Sequence, residues 1–319
     1  MVARAQPNFV GHYQPHIPKH LGFYDLRLPE VMQAQVALAR DYGVFGFCFY
    51  HYWFGGRRIL ETPVNNFLSS DINFPFCICW ANESWSRTWY GLDTDILLEQ
   101  QYSAEMDRQF FCDLLPLLKD PRYIQVDGKP VILVYRTDDL PSATETALCW
   151  REEAKRAGLK GLHLVSVMSY AHPMTDPSSY GFDALVEFPP HGFFWPVEQR
   201  PVRINVNSQN HVYADYEKVV SSSLARGVPA FTMYRGIMPS WDNTARKQDS
   251  GLTFLNSSPE AYQRWLKELV SYTRVNMPVD RQLLFINAWN EWSEGAHLEP
   301  DLKHDLAYLA ATRRALFGE

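Results

Sequence analysis

The sequence predicts an α/β fold, a single (β/α)8 TIM barrel with elaborated βα loops that takes in residues 1–319. Three observations predict it. Eight short apolar runs rich in β-branched and aromatic residues are spaced along the chain, and near-continuous apolar strands belong to parallel sheets covered on both faces. Amphipathic stretches of helical period separate several of the runs, as a βα alternation requires. No G-x-G-x-x-G follows the first run, so a doubly wound dinucleotide-binding sheet lacks its main mark.

In chain order the runs are NFVGHY (8–13), VFGFCFYHY (44–52), PFCICWA (75–81), VILVYR (131–136), LHLVSVM (162–168), DALVEF (183–188), PAFTMYR (229–235) and LLFINAW (283–289). A helix is expected over 29–42 after the first run, and another over 103–119 after the third, with Ser103 as its N-cap. Further helices are expected over 142–157, ended by Gly158, and over 258–275, with Pro259 at its first position. A last helix over 304–317 closes the chain. No helix is evident after the second, fifth and sixth runs, where 53–74, 169–182 and 189–228 read as long loops. The last carries Pro189, Pro190, Pro196 and Pro201 and reads as an elaborated loop or lid, not a separate domain.

Hydrophobic residues make up 46% and charged residues 21%, enough for a packed core and too apolar for disorder. The 30 Lys+Arg against 36 Asp+Glu leave a net charge of −6, which argues against a nucleic-acid binder with a basic face. No apolar run approaches the roughly 18 residues of a membrane span. The opening MVARAQPNFV lacks the apolar core of a signal peptide, so a cytoplasmic location is expected unless a signal has been removed or the chain is an excised domain. Five cysteines without paired metal spacing read as buried reduced thiols. His12, His16 and His20 imitate a metal ladder, but Pro15 and Pro18 prevent the helix that would align them, so no metal and no cofactor are expected. Asp93 and Asp95 form a D-x-D that reads as a surface loop.

In a barrel the chemistry lies at the C-terminal ends of the strands. The predicted ends offer His12 and Tyr13, then Tyr50, His51, Tyr52 and Trp53, then Trp80, Asn82, Glu83 and Trp85. Later ends offer Glu187 with His191 and Trp195, Tyr234 and Arg235 followed by Trp241, and finally Asn290, Glu291, Trp292 and Glu294. Carboxylates, amides and flat rings on one face suit a sugar, whose C–H faces stack on aromatics while its hydroxyls bond polar groups. On a strand, side chains alternate, so Tyr50 and Tyr52 share a face, and Trp53 is a candidate stacking platform at the mouth. Glu83 has a plain alternative as a partner of Arg87, and Glu187 as a partner of a neighbouring His or Arg. Arg235, Arg246 and Lys247 read as scattered bases.

The sharpest feature is Glu291-Trp292-Ser293-Glu294-Gly295. Two carboxylates three residues apart on a turn can enter one cavity, and glycoside cleavage needs one to protonate the leaving oxygen and one to assist attack. Flanking tryptophans would lower the polarity and raise one carboxyl pKa.

NAWNEWSEGAHLEPD (287–301), FCFYHYWF (47–54) and CWANESWSRTWYG (79–91) together resemble the WbsX-type glycosyltransferase family, which is similar to the endo-α-mannosidases of glycoside hydrolase family 99. The resemblance runs from GHYQPH (11–16) to the final helix. It implies a (β/α)8 barrel and a retaining reaction on an α-linked, manno-type or related glycan. Glu294 would be the acid/base, and Glu291 would take the proton of the sugar 2-hydroxyl so that O2 attacks the anomeric carbon. The ordinary retaining scheme, with direct carboxylate attack, stays open beside it. So do a glycosyltransferase of surface polysaccharide biosynthesis and a glycan-binding barrel without catalysis.

Overall fold

Seven of the eight runs become strands, and they lie parallel because each is apolar on both faces. The computed structural model describes every residue except 88–91, 171–173, 194, 199–200, 203, 206, 208–209 and 319. The strands are β1 (Phe47–Phe54), β2 (Phe76–Trp80), β3 (Lys129–Val134), β4 (His163–Met168), β5 (Ala184–Glu187), β6 (Met233–Ile237) and β7 (Leu284–Ile286). They pair in simple succession from β1 to β7, with Phe47 opposite Phe76 and Val165 opposite Ala184. A short strand, Arg57–Ile59, folds back antiparallel on the outer edge of β1.

The sheet curls but does not close into an eightfold barrel among the described residues, which corrects the expectation. The run 8–13 forms no strand. Its backbone turns instead: Gly11 takes a left-handed φ of 82°, the Asn8 N–H donates to His12 Nδ1 at 2.9 Å, and the His12 N–H donates to the Phe9 carbonyl. Where an eighth strand would bridge the edges, the ring of Phe47 on β1 meets Trp289 beyond β7, with centroids 5.2 Å apart. The N-terminal segment runs on to pair with the far end of the chain, Pro18 bridging antiparallel to Asp301.

The helices are α1 (Pro29–Asp41), α2 (Thr62–Leu68), α3 (Ala104–Leu118), α4 (Ala143–Arg156), α5 (Tyr216–Leu224), α6 (Thr244–Lys247), α7 (Pro259–Asn276) and α8 (Ala307–Phe317). Three begin at serine caps, where Ser103, Ser142 and Ser258 accept from backbone N–H groups of the first turn. Two of the expected loops hold regular structure. The 53–74 stretch contains the hairpin strand and α2, and 189–228 contains strand Val212–Asp215 and α5. That strand pairs in parallel with Leu252–Leu255, and Tyr216, Val219 and Val220 of α5 are buried in the same apolar cluster as α7 and α8. A second cluster fills the space between β1–β5 and α3–α4, and Trp289 packs against both. The D-x-D lies on a hairpin strand, Leu92–Leu98, paired with Trp85–Arg87, instead of a loop.

All five cysteines are free; Cys77 and Cys79 are buried, whereas Cys48 and Cys112 are exposed, contrary to the expectation of uniformly buried thiols. Among the described residues no helix is long and apolar enough to cross a membrane.

Candidate active site

Beyond β7 the chain forms a miniature hairpin. Asn290–Glu291 pairs antiparallel with Ala296–His297, and Trp292–Glu294 make one 3-10 turn between them. Gly295 closes the turn at a φ of 61°, and a Cβ there would come within 2.9 Å of the Asp242 carbonyl oxygen, so only glycine fits. The loop after β6 is locked to this turn. The Asp242 N–H donates to the Glu294 carbonyl at 2.7 Å, and the Ser240 hydroxyl to that of Gly295. Asp242 is itself buried; burial opposes its ionisation, but hydrogen bonds and charge from His12 outweigh that and hold the carboxyl well below its usual range. His12 Nε2 lies 2.6 Å from its Oδ2, and Gln14 donates to the same oxygen.

Glu294 has a side chain only 18% exposed and accepts a 2.5 Å hydrogen bond from Arg246. Burial raises its pKa, the charge of Glu291 raises it further, and Arg246 draws it down; burial and like charge win, and it stands at about 7. Glu291 accepts from the Ser293 hydroxyl at 2.5 Å. Facing the pair from β1, Tyr52 is pushed up to about 12, first by burial and then by the charge of Glu291.

A continuous line of rings borders the carboxylates. Trp85 meets Tyr52 (5.2 Å between centroids), Tyr52 meets Tyr50 (6.2 Å), Tyr50 meets Tyr135 (6.1 Å) and Tyr135 meets Tyr170 (6.4 Å). Tyr170 then meets His191, and His191 meets Trp241. Tyr50 and Tyr170 remain exposed, as a surface for stacking a sugar would. Arg136 lies over the ring of Tyr170 and bonds Glu83 at 3.1 Å, which puts a second ion pair on the rim. Burial raises the pKa of Glu83 although Arg136 opposes it.

Both tryptophans of the motif are anchored by a residue the sequence reading passed over. Glu299 is buried and accepts four hydrogen bonds, from Gln35 (2.7 Å), Trp289 (2.9 Å), Tyr24 (2.8 Å) and Trp292 (2.8 Å). Asn290 joins this network by donating to Tyr24 at 3.0 Å. Glu299 thus positions the hairpin from beneath.

Several expected site residues lie elsewhere, each for a physical reason. Trp53 and Trp80 are buried against Phe110 of α3, because they occupy the helix-facing positions of their strands. Asn82 is buried and exchanges hydrogen bonds with the backbone of Arg136, so it positions the Glu83–Arg136 pair instead of meeting ligand. Tyr234 sits within β6, which runs on to Ile237, and its hydroxyl is 2.8 Å from His163 Nε2 at the start of β4. Glu187 turns under the helices, where Arg226 and Arg235 bond it at 2.7 and 2.9 Å. Trp195 packs edge-on to Phe254, and Trp292 stacks on His297 at 3.9 Å between centroids, away from a mouth position. His12 serves Asp242, and Tyr13 lies under the Lys303 ammonium. The structure brings together Tyr50, Tyr52, Glu83, Trp241, Glu291 and Glu294. It adds Tyr135, Arg136, Tyr170 and Arg246. The alternative partner of Glu83, Arg87, has a side chain outside the described residues.

The family model described as Glycosyltransferase WbsX matches residues 1–312. The chain belongs to the WbsX glycosyltransferase family. Two curated relatives, both "Uncharacterized protein WxcX" from Xanthomonas campestris pv. campestris (strains B100 and ATCC 33913), are 42% identical over 317 residues, 99% of this chain. The chain spans 45% of the length of each. Among solved structures, a "Glycoside hydrolase-like protein" superposes with a TM-score of 0.63 at 13% identity, covering 98% of this chain and 90% of its own. The GH99 endo-α-mannosidase from Bacteroides thetaiotaomicron superposes with a TM-score of 0.60 at 14% identity, covering 98% and 90%. At that identity the likeness is one of fold. This WbsX-family chain thus shares the fold of that glycoside hydrolase, and its Glu291–Glu294 hairpin follows the last strand of the sheet.

Proposed function

We propose that the chain cleaves or transfers an α-linked glycan, manno-type or related, with retention, and that Glu294 is its acid/base and Glu291 the assisting carboxylate. One observation carries this reading: Glu294 is a nearly buried carboxyl, held beside Glu291, with a pKa near 7. At neutral pH such a group can give a proton to the leaving glycosidic oxygen and take one back from the incoming nucleophile. Glu291 either takes the 2-hydroxyl proton, so that O2 closes on the anomeric carbon, or attacks that carbon itself; water or an acceptor hydroxyl then opens the intermediate. The exposed rings of Tyr50 and Tyr170 in the line offer stacking faces for more than one sugar unit, which favours a polymeric or oligomeric substrate.

The family name favours a second reading, a glycosyltransferase of surface polysaccharide assembly. An NMR time course separates the two, using α-linked polysaccharides with and without nucleotide or lipid-linked sugars. Release of a reducing end in the starting anomeric configuration is the expected result. Product lengthening only with an activated donor assigns the transferase. Saccharide binding that survives Glu294→Gln, with turnover of nothing in either assay, assigns a non-catalytic glycan-binding barrel.

A further inference from the structure

The three histidines of the N-terminal segment part company in the fold. His12 goes to Asp242 and His20 to Asp305, each at 2.6 Å, while His16 turns toward the far end of the chain. There its Nδ1 lies 3.1 Å from His297 Nε2 and 3.8 Å from Asp301 Oδ2, and the last two atoms are 4.0 Å apart. We propose that His16, His297 and Asp301 bind one divalent transition-metal ion, zinc by the character of the donors, which fastens the N-terminal segment to the hairpin bearing Glu291 and Glu294.

The geometry suits a metal better than a hydrogen-bonded cluster. A triangle with those three sides has its equidistant point about 2.1 Å from every corner, the bond length of zinc to imidazole nitrogen and carboxylate oxygen. The donors are presented correctly. A backbone carbonyl can only accept, so the 2.9 Å contact of His297 Nδ1 with the Glu299 carbonyl puts the proton on Nδ1 and leaves Nε2 as a bare lone pair. That is the arrangement of metal-bound imidazoles, whose second nitrogen is tied to a carbonyl or carboxylate.

Asp301 supplies the independent sign. It is 2% exposed; its Oδ1 accepts from the His304 N–H at 2.6 Å, but its Oδ2, which faces both imidazoles, has no hydrogen-bond partner. An unpaired carboxylate oxygen is costly to bury, and a cation removes the cost. Two nitrogens and one oxygen select zinc or a neighbouring transition metal over calcium or magnesium, which prefer oxygen alone. The ion acts on position: His297 carries Trp292 stacked on its face, and Pro18 is already bridged to Asp301.

The test uses the whole chain, freed of metal by a chelator and titrated with Zn2+ by calorimetry and with Co2+ by visible absorption. One ion per chain, a d–d spectrum and a rise of a few degrees in Tm are expected. Asp301→Asn should weaken Zn2+ binding at least tenfold and remove the Co2+ bands, while Asp305→Asn, an exposed carboxylate four residues on, should change neither. If Asp301→Asn does not fold, His16→Gln replaces a partly exposed ligand and should give the same loss. Absence of saturable binding in the wild-type chain, or equal affinity in His16→Gln, overturns the proposal. None of these readouts depends on glycan turnover.

Discussion

Two glutamates with little exposure meet arginines in this molecule, and their surroundings differ. Glu187, after β5, has a side chain with no exposure and receives hydrogen bonds from Arg226, Arg235 and the Gly236 N–H. Donors outnumber the carboxylate, so its charge is fully compensated and its site is a strut between β5, β6 and α5. Glu294, after β7, accepts from Arg246, while the charge of Glu291 beside it opposes its ionisation and that of Lys247 favours it. Burial first, and then the charge of Glu291, keep a proton within reach at neutral pH. Both side chains are largely shielded from water, so the number of donors facing each glutamate is what sets the two apart.

The largest test of this contrast is Glu294→Gln, which should lower glycan turnover about 10^3-fold while leaving ligand affinity nearly unchanged. Turnover equal to wild type would remove Glu294 from the chemistry. Glu187→Ala should instead act on folding, costing about 3–5 kcal/mol in urea denaturation because two arginines lose their buried counter-ion. The reverse pattern, activity lost with stability intact, would make Glu187 a site residue after all.

Linkage gives a third test. A carboxyl moved from an ordinary 4.5 to about 7 binds its proton more tightly in the folded state, so its contribution is whole below about 4.5 and is lost as pH rises through 7. The wild-type chain should lose about 3 kcal/mol relative to Glu294→Gln over that window, read by denaturation at successive pH values. Wild-type kcat/KM should hold below pH 7 and fall as pH rises through that value, and Arg246→Gln, by removing the charge that draws Glu294 down, should carry the alkaline limb to higher pH. The smallest effect is expected for Glu299→Gln. The amide N–H2 then faces both donors that shared one carboxylate oxygen, Tyr24 and Trp292 or Gln35 and Trp289, and stability should drop by about 1–3 kcal/mol in the same denaturation assay.

The parallel strands and the capped helices were legible because apolar runs, serine caps and first-turn prolines act locally. The run 8–13 was misread since apolar and aromatic content alone does not make a strand; Gly11 and the Asn8–His12 bond turn the backbone instead. Helix α5 was hidden by its serines in YEKVVSSSL, a weak helical signal until Asp215 caps it and Tyr216 finds its apolar neighbours. In the site, Glu291 and Glu294 were recognisable by spacing and place. Tyr135, Arg136 and Tyr170 also follow strands β3 and β4, so the rule that located the glutamates reaches them too. The roles of Asn82 and Glu299 were not legible and that of Glu187 stayed one of two open readings, because each depends on a partner 39 or more residues away, Arg136, Gln35 and Arg226 in turn. A strand-end glutamate reads the same whether arginine or a sugar waits for it.

The contacts that hold the candidate site together also set when it can exist. Asp242 is 230 residues from His12, and His297 is 281 residues from His16. On a ribosome the early segment must wait, its histidines in water, until nearly the whole sheet has emerged. Such distant closures come last in folding, since the loops between them must be ordered before the contact repays their entropy. The strands can therefore assemble on a chain whose chemistry is still missing, and activity should lag behind compaction in a refolding time course.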